Sequence, residues 1–140
     1  MRVGKEVQAV PRGAVAVVAA ALFDRQGRVL IAERPPGKHM AGRWEFPGGK
    51  VAPGESGAAA LARELREELG VEFIAGRPMM SLHHDYADYA VDLSMWIVER
   101  YDGVPRGLDG QQLKWVAPAT LGEEDMLEAD QPFIEALKTL

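Results

Sequence analysis

Gly49-Lys50-Val51-Ala52-Pro53-Gly54-Glu55, followed after seven residues by Arg63-Glu64-Leu65-Arg66-Glu67-Glu68-Leu69-Gly70-Val71, is the stretch that decides how this chain is read. Between its two blocks Ser56 is an N-cap candidate, and Gly70 is a stop after Leu69, so the spacing predicts a helix over 56–69. Ala58, Leu61, Ala62, Leu65 and Leu69 recur at helical spacing and form its apolar face. Glu64, Glu67 and Glu68 stand at i, i+3 and i+4, within an arc of roughly 100° at the margin of that face. Like charges so spaced cost roughly a few tenths of a kcal/mol in an exposed helix. A hard divalent cation reverses that cost, because Mg²⁺ takes oxygen ligands and is commonly shared with substrate phosphates. Alone, the three glutamates read equally well as a solvated acidic face.

Outward from this helix, residues 12–23 read as a buried strand, and Asp24-Arg25-Gln26-Gly27 turns it into a second strand, Val29 to Ala32, as a hairpin. Residues 35–43 form a Pro/Gly loop, and Trp44-Glu45-Phe46 is a short extended piece stopped by Pro47-Gly48-Gly49. Further strands are predicted around 71–84, 90–100 and 111–116, with turn signals at Asp102-Gly103 and Asp109-Gly110. A short helix near 118–121 and a last one from about Gln131 to Lys138 complete the chain. Helices and strands alternate without regular βαβ units, which predicts an α+β fold with a mixed sheet flanked by helices.

The 140 residues suffice for one domain with one sizeable core, and 47% hydrophobic with 26% charged residues is a globular balance. With no cysteine, disulfides, thiolate metal sites and thiol nucleophiles are excluded together. The longest apolar run, Ala14 to Phe23, is too short for a membrane span. Near the N-terminus, Glu6, Gln8 and Pro11 interrupt any signal-peptide core behind Arg2 and Lys5, so a cytoplasmic location is expected. A net charge of −5 argues against a nucleic-acid polymer as partner. A small anionic substrate fits such a chain if a cation bridges the two.

The two blocks match, at every specified position, the signature G-x5-E-x7-R-E-U-x-E-E-x-G-U, with U a bulky aliphatic residue. Chance alone would produce that match on the order of once in 10⁸ starting positions. The chain thus resembles the Nudix hydrolases, with the box at 49–71 of a single domain spanning 1–140. The segment Trp44-Glu45-Phe46-Pro47-Gly48-Gly49-Lys50 and the tail Ala129-Asp130-Gln131-Pro132 resemble the MutT-type branch, small nucleoside triphosphate pyrophosphohydrolases. The resemblance implies an α/β/α sandwich around a central mixed sheet. It implies that Glu64, Glu67 and Glu68, with the carbonyl of Gly48, hold Mg²⁺ (or Mn²⁺) on the substrate's phosphates.

Other roles follow from the same resemblance. Gly49, Glu55 and Gly70 match structural positions of the box, and Arg63 matches a residue that orients nearby carboxylates, although a simple surface pair with Glu67 is also open. Asp109 stands where the branch places a glutamate that completes the metal cluster and helps deprotonate water; Asp109-Gly110 is equally an ordinary turn. Either Asp109 or Glu64 is the working base. Arg34 and His39 match positions that contact the nucleotide, Glu45, Phe46, Pro47 and Gly48 line the same pocket, and Lys50 is placed to touch a phosphate as a point charge. Tyr86 matches an aromatic near the base. His83 and His84, adjacent in an extended strand, face opposite sides and do not share a metal. Trp44, Trp96 and Trp115 read as packing residues.

Two positions depart from the branch. Asp130 replaces an asparagine that reads the base, and Tyr89 replaces an arginine. An ionised aspartate only accepts hydrogen bonds and prefers a donating edge such as the cytosine amino group; burial would protonate it and restore a donor. Asp130 also reads as a plain N-cap before Gln131-Pro132. The expected function is Mg²⁺-dependent hydrolysis of a nucleoside triphosphate to monophosphate and pyrophosphate, sanitising oxidised nucleotides such as 8-oxo-dGTP. The alternatives are a CTP or dCTP pyrophosphohydrolase and a non-catalytic nucleotide-sensing module. A monomer or weak homodimer is expected.

Overall fold

The computed structural model describes residues 14–140. Arg12 and Gly13, placed in the first strand by sequence, lie outside the described residues, as does the N-terminal segment read for a signal peptide. The order is β1 (Ala14–Leu22), β2 (Val29–Glu33), β3 (Trp44–Glu45), β4 (Gly48–Lys50), α1 (Gly57–Leu69), β5 (Glu72–Asp85), β6 (Ala90–Asp102), β7 (Leu113–Val116) and α2 (Gln131–Leu137). Short 3₁₀ turns at Pro118–Glu123 and Glu128–Asp130 precede α2.

Four strands form a mixed sheet in the order β4-β1-β6-β5, with β1 parallel to β6 and the other pairs antiparallel. A second, antiparallel sheet has the order β3-β2-β7. Alternation along β1 explains the layering. Val18, Ala20 and Leu22 face α1, where Leu61, Leu65 and Leu69 are fully buried; Ala19 and Ala21 face the opposite cluster with Ile31, Met95, Phe133 and Ile134. A helix thus covers each face, as the α+β reading expects.

α1 is closed at both ends as its sequence requires. The Ser56 hydroxyl accepts from Ala59 N at 3.1 Å, and Gly70, at φ 71°, donates to the Arg66 carbonyl. Its buried stripe is Ala60, Leu61, Leu65 and Leu69, with Ala58 and Ala62 only half-buried. The three tryptophans pack against the two cores as expected.

Two expectations are corrected. The Asp24–Gly27 turn forms, with Asp24 Oδ1 accepting from Gln26 N and Arg28 N at 2.9 Å, but β1 and β2 meet in a single bridge, Phe23 to Val29. Both edges of β1 are taken by β4 and β6, so β2 has no edge left to pair with and joins the second sheet. Likewise Gly48–Lys50 does not merely stop the preceding strand. It is itself a strand, in register with Val17–Ala19.

Candidate active site

β4 brings the box onto the sheet, and its glycines show how closely. A Cβ on Gly48 would overlap the Val18 carbonyl and lie 2.8 Å from Ala19 Cα. A Cβ on Gly49 would lie 2.5 Å from both carboxylate oxygens of Glu64. The backbone of β4 and the Glu64 carboxylate therefore lie in contact across one wall of a cleft of about 880 Å³.

Arg63 holds this wall together. Its Nε and Nη2 donate to the two Glu55 oxygens at 2.8 and 2.9 Å, Nη2 also reaches the Lys50 carbonyl at 2.9 Å, and Nη1 donates to Glu64 at 2.9 Å and Glu67 at 3.2 Å. The pair with Glu67 read from sequence exists, but as one bond among five. The bidentate guanidinium draws the Glu55 carboxyl down to about 2, aided by the Ala52 amide. The same carboxylates raise the pKa of Arg63.

The three glutamates of α1 separate. Glu64 and Glu68 line the cleft, whereas Glu67 points outward, its side chain 59% exposed beside Arg63. Burial pushes the Glu68 carboxyl well above the usual range, and the hydrogen-bonded Glu64 carboxylate next to it pushes the same way; the Gly48 amide opposes both. Two half-buried carboxyl groups in contact are the electrostatic demand that a cation answers. Among the described residues no three His, Asp or Glu side chains converge on one point. Glu64, Glu68 and the backbone of Gly48 meet at this wall of the cleft, with the Glu45 charge near enough to raise Glu68 further. The donor set is all oxygen, which suits a hard divalent ion that keeps water and phosphate oxygens as its remaining ligands.

Asp109 does not line the cleft. Its loop docks on the C-terminal end of α1, where Leu108 N and the Gln111 amide both donate to the Glu68 carbonyl, at 3.0 and 3.2 Å. Gln111 also accepts from Asp109 N at 2.9 Å, and the Asp109 side chain is left exposed beside the helix end. Pro47 is buried away from the cleft, its carbonyl accepting from Ala20 N at 2.8 Å. Gly70 serves as the helix stop described above.

The remaining site residues gather at the other end. Arg34 Nη1 pairs with Glu45 at 2.8 Å, and its Nε donates to the His39 carbonyl at 2.6 Å, tying down the 35–43 loop. His39 packs edge-on against Tyr89, centroids 5.4 Å apart, and Tyr86 and Tyr89 stack at 5.3 Å. Lys50, Phe46, Gly48 and Gly49 also line the cleft, as do Lys38, Asp88 and Tyr89, which the sequence did not mark as site residues. Lys38 adjoins His39 in a loop already identified. Tyr89 was visible only as a departure.

Asp130 is the buried acid at this end, 4% exposed. Although it stands at the N-cap position of α2, its side chain makes no capping bond; Oδ2 instead accepts from Phe46 N at 3.3 Å. Burial pushes its carboxyl up to about 8, the Glu45 charge adds to this, and the Phe46 amide and Arg34 oppose it. Burial likewise raises Glu45, against the pull of Arg34. Below about pH 8 the Asp130 carboxyl is protonated and offers the cleft both a donor and an acceptor.

The family model described as NUDIX domain matches residues 18–136. The CTP pyrophosphohydrolase of Escherichia coli K12 is 39% identical over 123 residues, 88% of this chain and 91% of that protein. The 8-oxo-dGTP diphosphatase of the same organism is 35% identical over 117 residues, 84% and 91% of the two chains. A solved structure from work on MutT of Aliivibrio salmonicida and Vibrio cholerae superposes with a TM-score of 0.77 at 35% identity, covering 90% of this chain and 98% of that one.

Proposed function

The chain belongs to the NUDIX domain family, and on that premise we propose that it is a divalent-metal-dependent nucleoside triphosphate pyrophosphohydrolase, a single catalytic domain over 1–140. The observation that carries the reading is the half-buried Glu64–Glu68 pair facing a cleft whose far end holds Arg34, the tyrosines and Asp130. An anionic chain of phosphates and a flat base need just these two ends.

Glu64, Glu68 and the Gly48 carbonyl are the groups that would hold Mg²⁺, or Mn²⁺ in its place. When bound, the ion neutralises phosphate charge and supplies an activated water. Arg63 donates to Glu64, which lines the cleft where Asp109 does not, so Glu64 rather than Asp109 is placed to accept a proton from the attacking water. Glu67 and Asp109 join the set only by leaving their present positions. Lys50 faces the phosphates, and Arg34 fixes both Glu45 and the loop carrying Lys38 and His39.

The protonated Asp130 carboxyl presents a donor and an acceptor, which supports oxidised guanine, as in 8-oxo-dGTP, as the base read here. A second reading, CTP or dCTP, draws on the carboxyl itself, which also complements the cytosine N3 acceptor and N4 amino donor. No helix among the described residues is long and apolar enough to cross a membrane, and we place the activity in the cytoplasm, in a monomer or weak homodimer. The test is a panel of 8-oxo-dGTP, dGTP, CTP and dCTP with Mg²⁺, resolving products. Monophosphate and pyrophosphate from at least one member support the proposal; no turnover of any refutes it.

A further inference from the structure

His84 packs edge-on against Tyr86, centroids 4.6 Å apart, whereas His83 remains outside the site just described, at the neck of the hairpin whose tip walls the cleft. His83 on β5 lies opposite Asp92 on β6 in the strand register, and Asp85 follows two residues on. Its Nδ1 lies 2.7 Å from Asp92 Oδ1 and its Nε2 2.9 Å from Asp85 Oδ1. A neutral imidazole carries one N–H, so it cannot donate to two carboxylates at once; this arrangement requires the imidazolium. Directly beyond the neck, Tyr86 N donates to the Tyr89 carbonyl at 2.8 Å, and the stacked Tyr86 and Tyr89 rings line the cleft.

We propose that His83 is a positioning residue that acts through Tyr86 and Tyr89. By bridging Asp85 and Asp92 it closes the hairpin neck and holds the aromatic wall in place for the substrate's base. This rests on the reading of the cleft as a nucleotide site.

The described charged groups facing the ring are Asp85 on its own strand and Asp92 on β6. The next strand, β1, presents Ala16 beside Asp92, and the neighbouring row is the Ser81–Ser94 hydroxyl pair, 3.1 Å apart. Those two carboxylates raise the His83 pKa above its ordinary value, Asp92 most strongly. As pH rises through that value, one bridge loses its proton and the two carboxylates repel each other. The ring is 43% exposed, so the effect is modest.

The test compares KM and kcat of the wild type, His83→Arg and His83→Gln for one triphosphate of the panel, with Mg²⁺, from pH 6 to pH 9. Arginine keeps the cation at every pH, and glutamine never has it. Ratios between variants cancel the titration of the nucleotide and of other groups. We expect the wild-type to His83→Arg KM ratio to rise from about 1 at pH 6 to about 3 at pH 9, with kcat ratios near 1. The His83→Gln to wild-type ratio should fall from about 3 to about 1 over the same range. Flat ratios, or kcat moving with KM, overturn the proposal. NMR of the nucleotide-free wild type reads the same coupling without variants or turnover. Tyr89 ring shifts that follow the His83 titration support the clamp, and shifts that ignore it overturn the clamp. Absence of hydrolysis in every protein would instead refute the cleft's assigned activity, leaving the NMR result to judge the clamp.

Discussion

Gly49→Ala is the substitution that separates the catalytic geometry from the fold. The added Cβ would sit 2.5 Å from both Glu64 carboxylate oxygens, so the carboxylate must retreat by about 1 Å to reach ordinary van der Waals separation. What moves is the far end of a flexible side chain. The backbone can stay, because Gly49 is not among the positive-φ residues. Alanine also restricts the unfolded chain, so net stability should change by less than about 1 kcal/mol. A displacement of that size at a positioned catalytic group costs about 10²-fold in rate, or about 2.7 kcal/mol of barrier. The assay is steady-state pyrophosphate release with Mg²⁺, paired with thermal unfolding of the same preparations. Gly48→Ala is the contrasting control, since its Cβ would strike the Val18 and Ala19 backbone and should lower Tm sharply. If Gly49→Ala folds normally and keeps kcat within threefold of wild type, Glu64 does not need the position this structure gives it, and the reasoning fails.

Glu68→Gln should lower kcat by at least about 10²-fold while leaving Tm equal or higher without metal, because it replaces a half-buried acid whose anion burial and Glu64 both disfavour. It should also abolish any rise of Tm on adding Mg²⁺, and a preserved Mg²⁺ shift would count against the ligand assignment. In the wild type, base ranking across the nucleotide panel should change as pH passes about 8, where the Asp130 carboxyl loses its donor; Asp130→Asn should show one ranking throughout. The same substitution tests linkage. An aspartate whose folded pKa is raised binds a proton that the unfolded chain has released, so wild-type stability falls as pH climbs from about 4 to about 8. The Tm advantage of Asp130→Asn should therefore grow over that window and level off above it, and a pH-independent difference would contradict the burial argument. Leu65→Ala, at a fully buried point of the α1–β1 contact, should cost about 2–5 kcal/mol in urea unfolding with an unchanged m-value.

The helix and its caps, the spacing of Glu64, Glu67 and Glu68, and the composition that excludes thiol chemistry were all settled by the sequence itself. Helical periodicity and capping depend on residues within about four positions of each other. Tertiary structure decided the rest of the site. It turned Glu64 and Glu68 into the cleft and left Glu67 outside, because Arg63 is held from Glu55 and the Lys50 carbonyl, eight and thirteen residues back. It made Gly48–Lys50 a strand and sent β2 to a second sheet, since strand pairing depends on which edges are already taken. It buried the Asp130 carboxyl beside the Phe46 amide, across 84 residues of chain, and that burial raises the carboxyl's pKa against the pull of the amide. Burial and opposing charge arise only when distant segments close on one another, and no local pattern encodes that closure.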